Sequence, residues 1–477
     1  MLYEAFQEVA RTRAGAVAVQ AVDGEELTYA RLSDLVDRAS ARLLRVGVQP
    51  GHFVATRLHN GPGYIAIILA LARLGAVHLP ISVQSDRERL RWSLAQVPVR
   101  FLIREQHDDL LDATVDTLGV DTLFAEPAPR VVEALLARAR SGVFRLLETT
   151  GSTGVPKLVA WRQEDLLADR RQWLSYLKVT PEDVFLTMHP LDVAHGVDVH
   201  MFPALLAGAR LVLSDPAAPP DQLLSTLADS GATIFSALPR HYQLLTGTGS
   251  TALPLLRLPL CGGAYLSPEV IKQARQHLGI QIRRIYGSTE FGIVLGNLDD
   301  VAQESRGMYP LPAVEVALEP LSAQTPMLGE ILARSPHTSI GYEGNPAETA
   351  RAFRAGWYRT GDVGEQTESG EYRVLGRVAD VLSTTSGRLI FAPQLEGVLQ
   401  ADEAVREAAV LPSSTDDGSA PLVVVTPADG AEALNVATTV SRLLRDHGLA
   451  DRVQVVDELP HTPVGKLDKP AILRRWG

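Results

Sequence analysis

Hydrophobic positions recur along this chain with two alternating periods. From Leu27 onward, Leu32, Leu35, Val36, Ala39, Leu43 and Leu44 fall at helical spacing and Gly47 closes the run, which predicts an amphipathic helix with a glycine stop. A strand is expected at residues 53–58, an apolar helix at 64–74 and a second strand at 76–81. Strand, helix and strand in turn predict a parallel sheet with crossover helices. The same rhythm returns with strands at 184–188 and 210–214, a helix at 221–230 and a strand at 232–238. Between 104 and 142 only a helix at 131–139 is legible, behind the prolines Pro127 and Pro129.

After Gly341 the pattern changes to short polar and aromatic segments, 356–362 and 372–377, separated by a turn at 368–370. These predict short antiparallel strands. Beyond Arg377, a helix at 392–399, strands at 408–411 and 422–426, a helix at 433–447 and a strand at 452–456 suffice for a small α+β domain. The expected fold is therefore α/β. A large N-terminal domain with parallel-rich sheets and helices (1–376) precedes a small, mobile α+β C-terminal domain (377–477), with the boundary near 376–380.

Length agrees, since 477 residues predict two or more domains at roughly 100–200 residues each. Hydrophobic residues at 46% and charged residues at 21% are those of a soluble globular protein. With 45 basic against 56 acidic residues the formal charge is −11, which argues against nucleic acid as a partner. Cys261 is the only cysteine, so an intramolecular disulfide and a thiolate metal cluster are excluded, and a reducing, cytoplasmic setting is expected. The first ten residues carry Glu4 and Glu8 and do not read as a signal peptide. The apolar run 64–72 stops at Arg73, short of the ~20 residues that span a bilayer, so no membrane span is expected.

Candidate chemistry begins with the stretch 148–159, where Thr149, Thr150, Gly151, Ser152, Thr153, Gly154 and Lys157 stand between apolar runs. Glycines let backbone N–H groups turn toward an anion, hydroxyls add donors, and the lysine adds charge, so ATP phosphates are the fitting guest. It is not a Walker A loop, because no hydroxyl comes after the lysine to ligate magnesium. Alone, the stretch reads equally as a Gly/Ser/Thr surface turn. Residues 247–252 match a dinucleotide-binding pattern by letters, but they come after a helical run and precede Pro254 and Pro259, so a loop is expected and no nicotinamide or flavin site.

Five separated stretches stand in one order: 149–157; Gly262-Gly263-Ala264; Tyr286-Gly287-Ser288-Thr289-Glu290; Thr360-Gly361-Asp362 with Gly376-Arg377; and 460–466, ending in Lys466. This set resembles the adenylate-forming superfamily of acyl-CoA synthetases, adenylation domains and luciferase, and residues 27–81 look like that family's first motifs. The resemblance implies an ATP-dependent ligase that converts a small-molecule carboxylic acid to an acyl-adenylate and passes the acyl group to a thiol, of coenzyme A or a carrier protein. An amine acceptor is the first alternative, and a nucleotide-binding relative without turnover is the second. By the same resemblance the 149–157 loop cradles the β- and γ-phosphates, and Glu290 with Thr150 ligates Mg²⁺. Asp362 takes the ribose hydroxyls, Arg377 contacts ribose and phosphate, and Lys466 acts at the α-phosphate. Gly262, Gly263, Ala264, Tyr286 and Gly287, together with Ser288 and Thr289, wall the adenine and the acyl carboxylate. The chemistry asks for such groups on its own account, because attack of a carboxylate on phosphate joins two anions and needs positive charge in the transition state.

Each of Asp362, Glu290 and Lys466 read singly is better explained as an ordinary turn cap, solvated carboxylate or surface lysine, and only the set in order favours the catalytic reading. The sequence also departs from the family. Leu158 stands where a glycine is usual, Ala379 replaces a charged hinge residue, and 383–387 is longer and rich in hydroxyls where the second substrate would be lined. Counting back from Phe202, the position of the aspartate that binds the amine in amino-acid-activating relatives is His195, with Gly196 next to it. An imidazole cannot pair an ammonium as a carboxylate does, so an aryl, heteroaryl or short acyl acid without a free α-amine is expected.

Overall fold

The computed structural model describes residues 1–105, 115–125, 142–149, 156–298, 307–323, 325–384, 388–412, 420–450, 452–462 and 467–477. The helix expected at 131–139, the loop residues Thr150, Gly151, Ser152, Thr153 and Gly154, part of the 383–387 segment, and Lys466 lie outside them.

The helix announced by Leu32 spans Tyr29–Arg45, its first turn capped by the Thr28 hydroxyl, which accepts from the Arg31 backbone N–H. The apolar helix is Pro62–Leu74, buried on all sides, and it stops at Gly75 in the left-handed conformation (φ 64°). A nine-stranded sheet has six parallel central strands in the spatial order Arg283–Ser288, Leu258–Cys261, Ile234–Ala237, Val184–Thr187, Arg210–Leu213 and Val17–Gln20, with antiparallel edges. A six-stranded sheet is parallel except where Val143–Thr149 turns back antiparallel onto Lys157–Arg162.

Each sheet sends alternate side chains to opposite faces, as the pleat requires. Phe185, Leu211 and Ile234 join Val54, Phe101 and Ile103 in one core around the helices Leu2–Thr12, Tyr29–Arg45 and Pro62–Leu74, which lie between the two sheets. Their neighbours Leu186, Val212 and Phe235 face an outer cluster, and Ala55 and Leu102 face another. Both faces of each sheet are covered, which is why its strands read as continuous apolar runs.

An antiparallel sheet comes next, built from Glu315–Pro320, Leu328–Arg334, Phe353–Arg354, Trp357–Gln366 and Tyr372–Arg377. The smaller C-terminal part packs Val405–Leu411, Leu422–Pro427 and Arg452–Val455 against the helices Ala392–Gln400 and Ala433–Asp446, around Leu395, Val410, Val423 and Val440. Residues 248–252 leave the helix Pro239–Gly247 as coil, so the dinucleotide look-alike is a loop. Among the described residues no helix is long and apolar enough to cross a membrane.

Candidate active site

Four neighbouring parallel strands of the large sheet end at one place, and the residues at and just beyond those ends line a cavity of about 1000 Å³. His189 and His195 come after Val184–Thr187, Leu238 after Ile234–Ala237, and Gly262 and Gly263 after Leu258–Cys261. Ser288 ends the fourth strand, with Thr289 and Glu290 directly beyond it. Ligands collect at the carboxyl ends of parallel strands because the loops there are free to vary while the sheet holds their bases. The second sheet contributes Glu148, Thr149, Lys157 and Trp161, and the antiparallel sheet contributes Glu330, Tyr358, Asp362 and Arg377. Thr149 and Lys157, on either side of the glycine-rich stretch, face each other in antiparallel register and both line the cavity.

Charged groups in this half are paired. Asp362 and Arg377 are cross-strand partners, joined from Arg377 Nε to Asp362 Oδ1 at 3.1 Å, while Tyr286 Oη donates to Asp362 Oδ2 at 2.6 Å. Arg377 Nη1 also donates to the Thr360 carbonyl at 3.1 Å. The Asp362 carboxylate holds the Arg377 guanidinium above its ordinary pKa, and burial pushes the Tyr286 phenol well above its own. Glu290 Oε1 accepts from Tyr342 Oη at 3.0 Å. Lys157 Nζ pairs with Glu348 at 2.5 Å and lies 4.9 Å from the centre of the Tyr342 ring. That hydrogen bond keeps the Glu348 carboxyl below the usual range.

The other half is built on histidines. Residues His195–Met201 form a π-helical turn, a geometry that often marks functional sites. The rings of His195 and His189 stack at 3.9 Å between centroids. His195 Nε2 lies 2.7 Å from Ser236 Oγ, and His189 Nε2 donates to the Ser236 carbonyl at 3.1 Å. Beneath them His200 donates from Nδ1 to the His195 carbonyl (3.0 Å) and accepts at Nε2 from the Ser236 N–H (3.1 Å), which fixes a neutral tautomer. Burial pushes its pKa down to about 4, and that of His241 likewise, with help from Arg240.

The profile of the AMP-binding enzyme family matches residues 6–343, and that of the AMP-binding enzyme C-terminal domain matches residues 394–466. The chain belongs to the AMP-binding enzymes. A salicylyl-CoA synthase / salicylate adenylyltransferase of Streptomyces sp. is 31% identical, the match covering 97% of this chain and 91% of that one. The indoleacetate–CoA ligase of Aromatoleum aromaticum is 28% identical over 93% of this chain and 92% of its own. Among solved structures, the amide bond synthetase McbA from Marinactinospora thermotolerans superposes with a TM-score of 0.87 at 26% identity, covering 100% of this chain and 99% of that one. This AMP-binding enzyme is an ATP-dependent, carboxylate-activating ligase that forms an acyl-adenylate and transfers the acyl group.

Of the site residues expected from sequence, this AMP-binding enzyme brings Thr149, Lys157, His195, Gly262, Gly263, Gly287, Ser288, Thr289, Glu290, Asp362 and Arg377 onto one cavity. Three others sit differently. Ala264 is exposed, outside the cavity wall, because the chain has already turned toward the surface after Gly263. Tyr286 stands behind the wall, where its hydroxyl holds Asp362. Gly196 is buried against backbone: a Cβ there would come within 2.2 Å of the Pro190 carbonyl oxygen, so packing explains this glycine. Sequence reading missed Trp161, Arg170, His189, Asp198, Tyr342 and Glu348 on the wall. His189 had a usable signal, two residues beyond a parallel strand. The others are isolated residues on elements whose pattern reports only burial.

Proposed function

We propose that the cavity binds ATP and an aryl or heteroaryl carboxylic acid, joins them as acyl-AMP with release of pyrophosphate, and presents the acyl group to a thiol. The observation that carries this reading is the convergence of four motif stretches, spread over more than two hundred positions of the chain, on one cavity at the ends of parallel strands. The 149–157 stretch takes the β- and γ-phosphates, with Lys157 supplying charge. Asp362 receives the ribose hydroxyls while Arg377, which it orients, reaches ribose and phosphate. Gly262, Gly263 and Gly287 present bare backbone to the planar groups, and Lys466 adds charge at the α-phosphate during attack. Residues 377–477 act as the smaller domain that brings Lys466 to the nucleotide.

Magnesium fits these residues. Among the described residues no group of three His, Cys, Asp or Glu side chains forms a metal cage, and Glu290 offers one carboxylate on the cavity wall. One protein carboxylate plus nucleotide phosphates is the usual way this ion is held, with Thr150 as the expected second ligand. When bound, the ion neutralises phosphate charge.

The flat walls of stacked imidazole and glycine backbone favour a planar acid, and the relatives named for salicylate and indoleacetate act on such acids. Acid-dependent exchange of pyrophosphate into ATP over a panel of acids tests the reading. Exchange with aryl acids and none with L-amino acids is expected, whereas efficient exchange with L-amino acids overturns the substrate assignment. The acceptor step is tested by trapping the adenylate and adding coenzyme A, a carrier-protein thiol or an amine. Because of Ala379 and the 383–387 segment, slower consumption by free coenzyme A is expected; fastest decay with coenzyme A makes this an ordinary acyl-CoA synthetase.

A further inference from the structure

At the end of the cavity where Lys157 stands, one carboxylate serves two cations. Lys157 Nζ donates to Glu348 Oε2 at 2.5 Å, and Arg351 Nη1 donates to Glu348 Oε1 at 2.7 Å from one turn further along the helix Pro346–Ala352. All three side chains line the cavity. Lys157 is mostly covered, but the Arg351 side chain is 74% exposed, and its neighbours on the wall, Ala350 and Ala352, are too short to cover it. The guanidinium therefore has surface open to whatever enters. Two other arginines on the wall are committed elsewhere: Arg359 is held between Glu319 and Glu330, and Arg377 by Asp362 and the Thr360 carbonyl.

A carboxylate shared by two cations leaves positive charge over. Its hold on Arg351 is weak, because an exposed pair one helical turn apart gains little over two separate hydrated ions. Phosphate is the better partner: the fork of guanidinium N–H donors matches two phosphate oxygens, and charge-assisted bonds of that kind are the strong ones. ATP with a magnesium ion bound is still an anion, and its outer phosphates carry charge that the ion does not cancel. Arg351 can turn from Glu348 to such a phosphate without cost to the helix it stands on. That helix is capped independently, by Asn345 Oδ1 accepting from the Glu348 backbone N–H at 3.1 Å.

We propose that Arg351 is a further phosphate-binding residue, a second cation beside Lys157 that contacts the γ-phosphate of ATP and then the pyrophosphate displaced from the α-phosphorus by the attacking carboxylate. The inference rests on the ATP-binding reading above and adds a residue at its phosphate end. Glu348 holds the two cations side by side and yields them to the stronger anion.

The experiment uses the full chain with Arg351→Ala and Arg351→Lys, and compares magnesium ATP, magnesium pyrophosphate and AMP. KM for ATP and for pyrophosphate is read from acid-dependent exchange, and AMP affinity from calorimetry. In Arg351→Ala both KM values are expected to rise about tenfold, while AMP, which lacks the outer phosphates, binds within about twofold of wild type. Arg351→Lys, which keeps the charge but not the fork, is expected to recover both KM values to within about threefold of wild type. The difference between wild type and Arg351→Ala should narrow as salt is raised, since the contact is ionic and open to solvent. A purely structural role would weaken AMP and the acid along with ATP and would be indifferent to salt. ATP and pyrophosphate constants within about twofold of wild type in Arg351→Ala, or AMP weakened as much as ATP, overturns the inference while leaving the ligase reading standing. Wild-type protein that neither binds ATP nor exchanges pyrophosphate with any acid overturns the ligase reading and this inference with it.

Discussion

The two halves of the cavity treat charge in opposite ways. In the half proposed to take the nucleotide, Asp362 has Arg377 and Tyr286 as partners, Glu290 has Tyr342, and Lys157 has Glu348, each from a different segment. In the half proposed to take the acid, His200 is fixed in neutral form, and buried ionic groups nearby keep unused hydrogen-bonding atoms. The first half is prepared for a guest of constant chemistry. The second is proposed to meet the acid, the guest that varies among relatives named for salicylate and indoleacetate.

The contrast breaks first if the nucleotide half is not where the rate is made. Lys466→Ala is expected to reduce pyrophosphate exchange by about 10³-fold with the unfolding midpoint unmoved. Exchange within a few-fold of wild type would remove Lys466 from the mechanism. The neutral state of the acyl half is tested by stability against pH. His200 has its folded pKa lowered to about 4, so above pH 6.5 both folded and unfolded chains hold it neutral. As pH falls from 6.5 toward 4 the unfolded chain takes up the proton first, and about 3 kcal/mol of stability is lost over that window. Denaturant unfolding at steps through this range should show a shallower acid limb for His200→Gln; identical limbs would mean the ring is not held neutral by burial.

Smaller effects sharpen the division. Ser236→Ala removes the group 2.7 Å from His195 Nε2 and is expected to raise KM for the acid about tenfold while leaving KM for ATP unchanged. Equal changes in both constants would show that the halves are not separable. Glu348→Gln releases Lys157 from its partner, and because the pair is partly exposed only a few-fold lower KM for ATP is expected. A higher KM would mean that Glu348 presents Lys157 to the nucleotide instead of competing for it.

Legibility in the sequence obeys the same division. The nucleotide half is written as contiguous motifs, because loops that approach phosphate and ribose need glycine, hydroxyl and charge at fixed spacing. The acyl half is assembled from single residues. Arg170 sits in the run Asp169-Arg170-Arg171, which reads as a solvated helix face, yet Arg170 is buried and paired while Arg171 turns outward. Asp198 stands three residues after His195 on the same π-helical turn and lines the same wall, yet as a lone acidic residue outside any motif it carries no signal of its own. Element types came through well for the same reason that side-chain roles did not. Periodicity reports which face is covered, as at Tyr29–Arg45 and Pro62–Leu74, and is silent about what covers it.

The Asp362–Arg377 pair has a mechanical consequence. Arg377 ends its strand tied to Asp362 and to the Thr360 carbonyl, and three residues later Asp380 is tied to Lys469, at the start of the last helix, at 2.6 Å. Between these two moorings lie only Val378 and Ala379, so a swing of the C-terminal part that keeps both ties would have to be delivered by the six backbone dihedral angles from ψ of Arg377 to φ of Asp380. The joint is a short axle with a bolt at each end. Ala379→Pro fixes one of those angles and is therefore expected to narrow the range of the swing without touching either part.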